Sequence, residues 1–580
     1  MTGIFGRRLD SEVEKRSRHM TVIRQVGSGV AGPDNTAGGR GAQKSSSRAL
    51  PPIVIFISTL ALFLPPSLMG VGTFDEGFIV TGAMQVLHGK LPYRDFLSLY
   101  GPGQYYFTAG LFAVFGERLA VVHIAHAALL AGLAAAVFAV ARAATKDQRA
   151  TPTITVLAFA GIPLYAQPQV GYPAISALLA LLLATLVFGQ WVVGQRWRIL
   201  GLASVFVGIA SIFRWDFGVF GLLALAITIT ALALSRPTDS RRMVVVGVCA
   251  TGPALSIMAA VYLPLLVLYS DPTRWYQEVL RYSIVEFPMW RNLEYLRPLY
   301  WALANSVRDG SGALFFISVL GLSYVVLPVS LVLATLGVVG LRLVQGREVL
   351  SDRASAQSLL LCLVSLFLLH QMRVRPSVVH AFPAVVASLP LFPYILGVLP
   401  AHSRFTLAMR TVGLVGGFIL GSLLFQAAFI NWFFAFDTRA IALNVPRAAG
   451  IRVQRELAYY AELVNYIQSR TNDGEAIFSG AVDHSRLYFT DCMLYFLTNR
   501  PPADRFVELE SGISNTRAGQ QEIVKSLREK AVRVVVLLAM DSKEPNLTSV
   551  SNGVHDLDDF LAEHYRPSRK FGPYTVLEAK

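Results

Sequence analysis

Two adjacent carboxylates, Asp75 and Glu76, follow the first long apolar run of the sequence, and Arg94, Asp95 and Tyr100 come shortly after them. At neutral pH a carboxylate can accept a proton from a hydroxyl group as that group attacks. A guanidinium can bind phosphate oxygens through two hydrogen bonds and neutralise the charge of a departing phosphate. Charged groups at the end of a membrane helix therefore predict a site in which an acid/base residue faces an anionic lipid headgroup.

A structural role is the alternative for Asp75. This residue precedes a predicted helix over 76–88, and an acid at that position complements the helix N-terminus. The helix is amphipathic, so it is predicted to lie along the membrane surface. A chemical role is favoured by a long outer segment, 271–310, which is rich in arginine and aromatic residues. One of its arginines is a further candidate for binding phosphate.

The elements that position these residues are predicted to be membrane helices. Of the 580 residues, 54% are hydrophobic and only 15% are charged, a balance far from that of a soluble domain. Apolar runs of roughly 18 or more residues recur between 51 and 433, and helices are the spanning form that such runs can take. Basic residues lie mainly in alternate short loops, which predicts about eleven transmembrane helices. The net charge of +14 is therefore explained by membrane topology, and no nucleic-acid partner is predicted.

The sequence divides into three predicted regions. Residues 1–50 form a disordered cytoplasmic tail, 51–433 form the all-α transmembrane domain with a first outer loop at 72–118, and 434–580 form an extracytoplasmic α/β domain. In the last region the patterns predict helices over 452–469, 521–530 and 557–564, and strands over 476–479, 532–538 and 574–577. The chain is expected to be an integral, multi-pass protein of a bacterial plasma membrane.

The first outer loop resembles that of the GT-C type of membrane glycosyltransferase. The resemblance is carried by Asp75-Glu76, by Gly89-Lys-Leu-Pro-Tyr-Arg-Asp-Phe96 and by Tyr100-Gly-Pro-Gly-Gln-Tyr-Tyr-Phe107. The nearest groups are the protein O-mannosyltransferases and aminoarabinose transferases of glycosyltransferase family 39, together with the RgtA/B/C/D-like galacturonosyltransferases. The resemblance implies a GT-C-like fold and a polyprenyl-phosphate-linked sugar as donor. It also implies that Asp75 is the catalytic base, with Glu76 as its neighbour or substitute.

Two later segments are candidates for substrate binding. Arg375 and His380 precede a Pro-containing span and are similar to a late-loop pattern of related transferases, although Ser377 stands where those often have Asp. A basic cluster at the membrane interface is the alternative. Arg214 lies two residues before Asp216, and a local ion pair that satisfies two interfacial charges is equally open.

No cofactor is predicted. Relatives that use a second acid place it in the next outer loop, but the segment Ala166-Gln-Pro-Gln-Val-Gly171 contains none. A divalent metal needs several oxygen ligands, so its presence is left open without support.

Three functions are compatible with these features. The favoured one is transfer of a sugar to a hydroxyl of an envelope lipid, glycan or protein on the outer face, with Asp75 as base and Arg94, Asp95, Tyr100, Arg214, Arg375 and His380 as candidates for binding substrate. The alternative is a polytopic transporter or flippase of a lipid-linked envelope precursor, for which functional positions should lie at mid-membrane sites such as Pro253 and Pro328. The third is a non-catalytic assembly protein that binds an envelope component.

Overall fold

The structure is a computed structural model that describes residues 39–145, 154, 170–235, 240–268, 271–294, 296–344, 352–375, 377–398, 404, 407–408, 411, 439–539 and 544–580. Several predicted segments lie wholly or partly outside these residues. They are most of the tail 1–50, the second outer loop 165–173, parts of the inner loops, and the last predicted span before 433.

The first part of the described chain is almost entirely helical. The helices are α1 (Gly39–Ser67), α2 (Asp75–Leu87), α3 (Gly103–Phe115), α4 (Leu119–Ala143), α5 (Pro173–Gly194), α6 (Trp197–Phe213), α7 (Trp215–Leu234), α8 (Ser240–Leu268), α9 (Pro272–Trp275), a π-helix (Tyr276–Glu286), α10 (Phe287–Trp290), α11 (Leu296–Asp309), α12 (Gly312–Val344), α13 (Arg353–Val374), α14 (Val378–Ser388) and α15 (Leu391–Val398).

Seven segments of the described helices are long and apolar enough to cross a membrane, and the shorter Pro51–Ser67 and Trp197–Phe213 are also apolar. The predicted helical membrane domain is therefore confirmed, while the total of about eleven spans stays a prediction. Pro328, one of the two mid-membrane positions named for the transporter alternative, lies inside the continuous helix α12. Pro253 likewise lies inside α8.

The membrane helices pack closely because small residues face their neighbours. α5 contacts α6, α6 contacts α8, and α13 contacts α14. A side chain at Gly189 of α5 would collide with Gln357 of α13, whose Nε2 donates a hydrogen bond of 2.9 Å to the carbonyl of Thr185. Close approach and buried polar bonds of this kind are typical of helices that pack in a membrane, where burial of apolar surface drives no association.

The second part of the described chain is an α/β domain. It contains β1 (Ala440–Ala442), β2 (Arg452–Gln454), α16 (Ala458–Arg470), β3 (Phe478–Ala481), α17 (Met493–Thr498), α18 (Arg517–Glu529), β4 (Val534–Leu538), α19 (Asp556–His564), β5 (Tyr565–Phe571) and β6 (Tyr574–Ala579). The main sheet has the order β3-β4-β6-β5, with β3 and β4 parallel and the other pairs antiparallel. The predicted α/β character of this region is confirmed. The predicted helix 452–469 is wrong at its start, because Arg452–Gln454 form β2 and α16 begins at Ala458. β1, β5 and α17 were not predicted, because β1 has only three residues, β5 lacks apolar alternation and α17 has only six residues.

The first outer loop does not lie free on the membrane surface, as its amphipathic pattern suggested. Residues Glu76 to Met84 of α2 are buried, since this helix packs against α3 on one side and α17 on the other. Thr81, a polar residue in the middle of α2, donates a hydrogen bond of 2.9 Å to the carbonyl of Cys492. The α/β domain therefore covers α2 and lies on the same side as the outer loop.

A network of ion pairs fastens the predicted outer segment 271–310 to the α/β domain. Arg505 binds Glu278 at 2.6 Å and Glu522 at 2.8 Å, and Arg274 binds the same two acids at 2.9 and 2.5 Å. Glu278 belongs to the π-helix, whereas Glu522 belongs to α18. Charges that each have two partners are worth more than isolated surface pairs, so this network holds the outer segment against the domain.

The contact between α2 and α17 depends on a glycine. A Cβ atom at Gly77 would lie 2.4 Å from the backbone nitrogen of Met493, and a backbone atom cannot move aside cheaply. We expect Gly77→Ala to lower stability by about 1–3 kcal/mol, the usual cost of overpacking. The control is Gly110→Ala in α3, where a Cβ meets no atom within 4 Å. Thermal unfolding in detergent, followed by tryptophan fluorescence, should show a lower midpoint only for Gly77→Ala; equal midpoints would contradict the packing.

Candidate active site

A cavity of about 560 Å³ lies where the membrane helices meet the α/β domain. Its charged and titratable lining residues come from four segments of the membrane domain and two segments of the α/β domain. Those residues are Asp75 at the start of α2, Arg214 and Asp216 at the α6–α7 junction, Arg291 after α10, Arg375 and His380 at the α13–α14 junction, and Glu508, Glu510 and Glu544 of the α/β domain.

Asp75 is the first helical residue of α2, and its carboxylate faces this cavity rather than capping the helix. Phe74 occupies the N-cap position without a side-chain cap. Within the described ranges, no group donates a hydrogen bond to the Asp75 carboxylate. Burial raises the pKa of Asp75 to about 6, and the nearby Arg375 and Arg291 counteract part of that rise. The carboxylate is thus ionised at neutral pH and free to accept a proton.

Two arginines approach the cavity with one carboxylate partner each. Arg291 is 1% exposed and its Nη2 lies 3.0 Å from Glu510, while Nη2 of Arg375 lies 2.6 Å from Glu544. The Nε–H groups of both are buried and have no hydrogen-bond partner among the described residues. Buried donors are normally satisfied, so these two are available to an anionic ligand.

Arg214 also lines the cavity, but its hydrogen bonds are already made. Its guanidinium forms two bonds to Asp216, at 3.0 and 2.7 Å, and further bonds to Tyr172 and Gln371. The local ion pair considered for Arg214 and Asp216 is therefore present. Tyr100 packs its ring 5.3 Å from the same guanidinium and contributes to the cavity wall. The charges at this end of the cavity are therefore paired with each other.

His380 lies on the wall beside Arg375. Its Nδ1 is 2.8 Å from the hydroxyl of Ser377. A serine can orient the imidazole but adds no charge to it. His380 is therefore held in place by a neutral partner.

Three predicted site residues lie elsewhere. Glu76 points away from the cavity and accepts hydrogen bonds from the backbone of Gly72, at 2.7 Å, and from His123, at 2.5 Å. Arg94 and Asp95 pair with each other at 2.8 Å on the surface and do not line the cavity. Because Glu76, Arg94 and Asp95 are close to Asp75 in sequence, they were predicted to lie around it. Successive side chains on a helix, however, point in directions about 100° apart, so Glu76 points towards α4 and not into the cavity.

The glutamates of the α/β domain are the part of the site that the sequence did not reveal. They lie more than 400 residues beyond Asp75, so spacing gave no clue. Within Val507-Glu-Leu-Glu510, however, acids alternate with buried apolar residues, a pattern that could have indicated two acids on one face. Burial and the adjacent Glu510 hold the pKa of Glu508 well above its usual range. This environment favours the protonated form of Glu508, which can donate a hydrogen bond.

Glu544 is positioned by a local turn. Asn546 donates a hydrogen bond of 2.8 Å to Glu544, while its own side-chain oxygen accepts bonds from the backbone and hydroxyl of Thr548. An Asx turn of this kind fixes the direction of the Asn side chain. Glu544 is thus preset to meet Arg375.

One group of possible metal ligands occurs in the described part of the chain, outside this cavity. Ligand atoms of Asp483, His555 and Asp558 lie within 4.8 Å of one another. Asp558 already accepts hydrogen bonds from the backbone and ring of His484, the latter at 2.6 Å. The geometry of this cluster is explained by those bonds and does not require an ion.

No family model and no curated protein matches the sequence. Among solved structures, the chain is similar to ArnT from Cupriavidus metallidurans. With the apo state, the TM-score is 0.49 at 12% identity, covering 91% of this chain and 98% of that one. With the state bound to undecaprenyl phosphate, it is 0.45 at 12% identity, covering 90% and 97%.

The position of Glu76 predicts a structural role. Glu76→Ala removes the partner of the Gly72 N–H and of the buried His123 ring, and a buried group left unsatisfied costs about 1–3 kcal/mol. We expect a clearly lower unfolding midpoint in detergent. Glu294→Ala is the control, because Glu294 is exposed and only 3.8 Å from Arg297 in a surface pair. If both variants unfold at the wild-type temperature, Glu76 does not anchor α2.

Proposed function

We propose that this protein is an integral membrane glycosyltransferase that moves a sugar from a polyprenyl-phosphate-linked donor to a hydroxyl group of an envelope lipid, glycan or protein. The observation that supports this most strongly is the composition of the cavity. It combines a carboxylate that accepts no hydrogen bond within the described residues, Asp75, with two arginines that have unpartnered N–H groups, Arg291 and Arg375. A base and a phosphate-binding pair in one cavity are what this reaction needs.

Asp75 acts as the general base. As the acceptor oxygen attacks the anomeric carbon, its proton passes to the Asp75 carboxylate and the new C–O bond forms. At the same time the bond between that carbon and the phosphate oxygen breaks, and both electrons leave with the polyprenyl phosphate. A single displacement of this kind inverts the configuration of the anomeric carbon.

Arg375 and Arg291 stabilise the departing phosphate. Negative charge on the phosphate grows as the bond to the sugar breaks, and guanidinium groups fixed in a partly desolvated cavity stabilise that charge more strongly than water does. Each arginine keeps one carboxylate partner, so it is held in position before substrate arrives. Glu508 also lines the cavity, and in its protonated form, which burial favours, it adds a hydrogen-bond donor.

The base assignment predicts that Asp75→Asn abolishes transfer. Asn is nearly isosteric with Asp but cannot take up the proton, and loss of a general base lowers the rate about 10²–10⁴-fold. The measurement is transfer of labelled sugar from a polyprenyl-phosphate donor in membranes that contain equal amounts of each variant. Asp95→Asn is the matched control, since Asp95 lies in the same outer loop but outside the cavity. Near-normal transfer by Asp75→Asn would refute the role.

The pH dependence of transfer should report the ionisation of Asp75. Its pKa is raised to about 6, so the active carboxylate form is lost as pH falls through that value. We expect the single-turnover rate to fall roughly tenfold for each pH unit well below about 6 and to level off above about 7. Protein unfolding is excluded by returning each sample to pH 7 and confirming full activity. A rate that is flat between about pH 5 and about pH 7 would contradict this assignment.

A further inference from the structure

A second cavity, of about 250 Å³, lies at the other end of the same helices. Helix α7 contributes to both cavities. Trp215 and Asp216 in its first turn line the candidate active site, whereas Thr230 and Leu232 near its end line the second cavity. Its 20 residues rise by about 30 Å, which is the thickness of the hydrocarbon core. The second cavity therefore belongs to the opposite membrane face.

The second cavity has apolar walls and a polar rim. The walls come from α5, α7 and α8 and include Val192, Ile229, Leu232, Met243, Val246 and Ala250. The rim carries Gln195 and Arg242. A cavity with apolar walls and a positively charged rim fits an amphiphile that has an apolar chain and a negatively charged head group.

Trp191 supplies an unused hydrogen-bond donor to this cavity. The residue is 4% exposed and lines the cavity, and its indole N–H has no partner among the described residues. A buried indole N–H normally finds an acceptor. A bound molecule with an ester or phosphate oxygen would provide it.

Arg242 supplies positive charge at the rim. It lies in the first turn of α8, where the helix dipole is also positive, so an anion is favoured there. In the described part of the chain its one hydrogen-bond acceptor is Gln195, at 3.1 Å, and its guanidinium lies 5.9 Å from the ring centre of Trp197. Gln195 is itself fixed by a bond of 3.0 Å to the carbonyl of Val192. Arg242 is thus held in place with donors to spare.

We propose that this second cavity binds an anionic phospholipid of the leaflet opposite the candidate active site. The phosphate pairs with Arg242, an ester oxygen accepts the Trp191 N–H, and an acyl chain lies against Ile229 and Val246. Under the predicted topology this is the cytoplasmic leaflet. The proposal depends on the membrane fold and not on the proposed sugar transfer.

The test is native mass spectrometry of the full-length protein in detergent micelles containing either phosphatidylglycerol or phosphatidylcholine. The wild type should retain one phosphatidylglycerol. Arg242→Gln should weaken that binding about tenfold, by loss of a charge-assisted bond, and Trp191→Phe should weaken it less. Gly247→Leu should block binding, because a Cβ at Gly247 meets no atom within 4 Å and the new side chain fills the cavity without strain.

Arg198→Gln is the matched control, since Arg198 is an exposed arginine of the same helix ends that does not line the cavity. It should retain phosphatidylglycerol as the wild type does. Unchanged unfolding temperatures establish that the variants are folded. Retention of the lipid at the wild-type level by Arg242→Gln or Gly247→Leu, or equal retention of phosphatidylcholine by the wild type, would overturn the proposal.

Discussion

The charge balance of the candidate active site depends on contacts between the two parts of the chain. Arg291 and Arg375 belong to the membrane domain, but the carboxylates that face them, Glu510 and Glu544, belong to the α/β domain. A guanidinium removed from water without a partner costs several kcal/mol, and the Arg291–Glu510 pair is almost fully buried. The α/β domain therefore supplies the opposite charges that hold these two arginines in position.

This pairing explains why Asp75 differs from three other acids of the cavity. Asp216, Glu510 and Glu544 each face an arginine at 3.0 Å or less. Asp75 has no such contact, because the nearby arginines are already held by other carboxylates, and burial raises its pKa to about 6. A base works best when its pKa is near the operating pH, so the arrangement that satisfies the arginines also prepares Asp75. It leaves the Nε–H groups of Arg291 and Arg375 for phosphate.

Much of this arrangement could be predicted from the sequence, because membrane helices are recognised by composition and their ends by charge. Asp75 and Arg214 were singled out as charged residues at span ends, Tyr100, Arg375 and His380 through the resemblance, and all five line one cavity. Glu76 and the Arg94–Asp95 pair were placed there by proximity in sequence, which ignores the direction of side chains on a helix or turn. Glu510 and Glu544 were missed because their positions depend on how the α/β domain packs against the outer segments.

The most direct measurement is a structure of the full-length protein with a polyprenyl phosphate bound in a lipid nanodisc. If Asp75 and the two arginines form one catalytic site, the phosphate will lie within ion-pair distance of Arg375 and Arg291, on the side of the cavity that faces Asp75. A phosphate bound outside this cavity, away from the Asp75 carboxylate, would contradict the assignment.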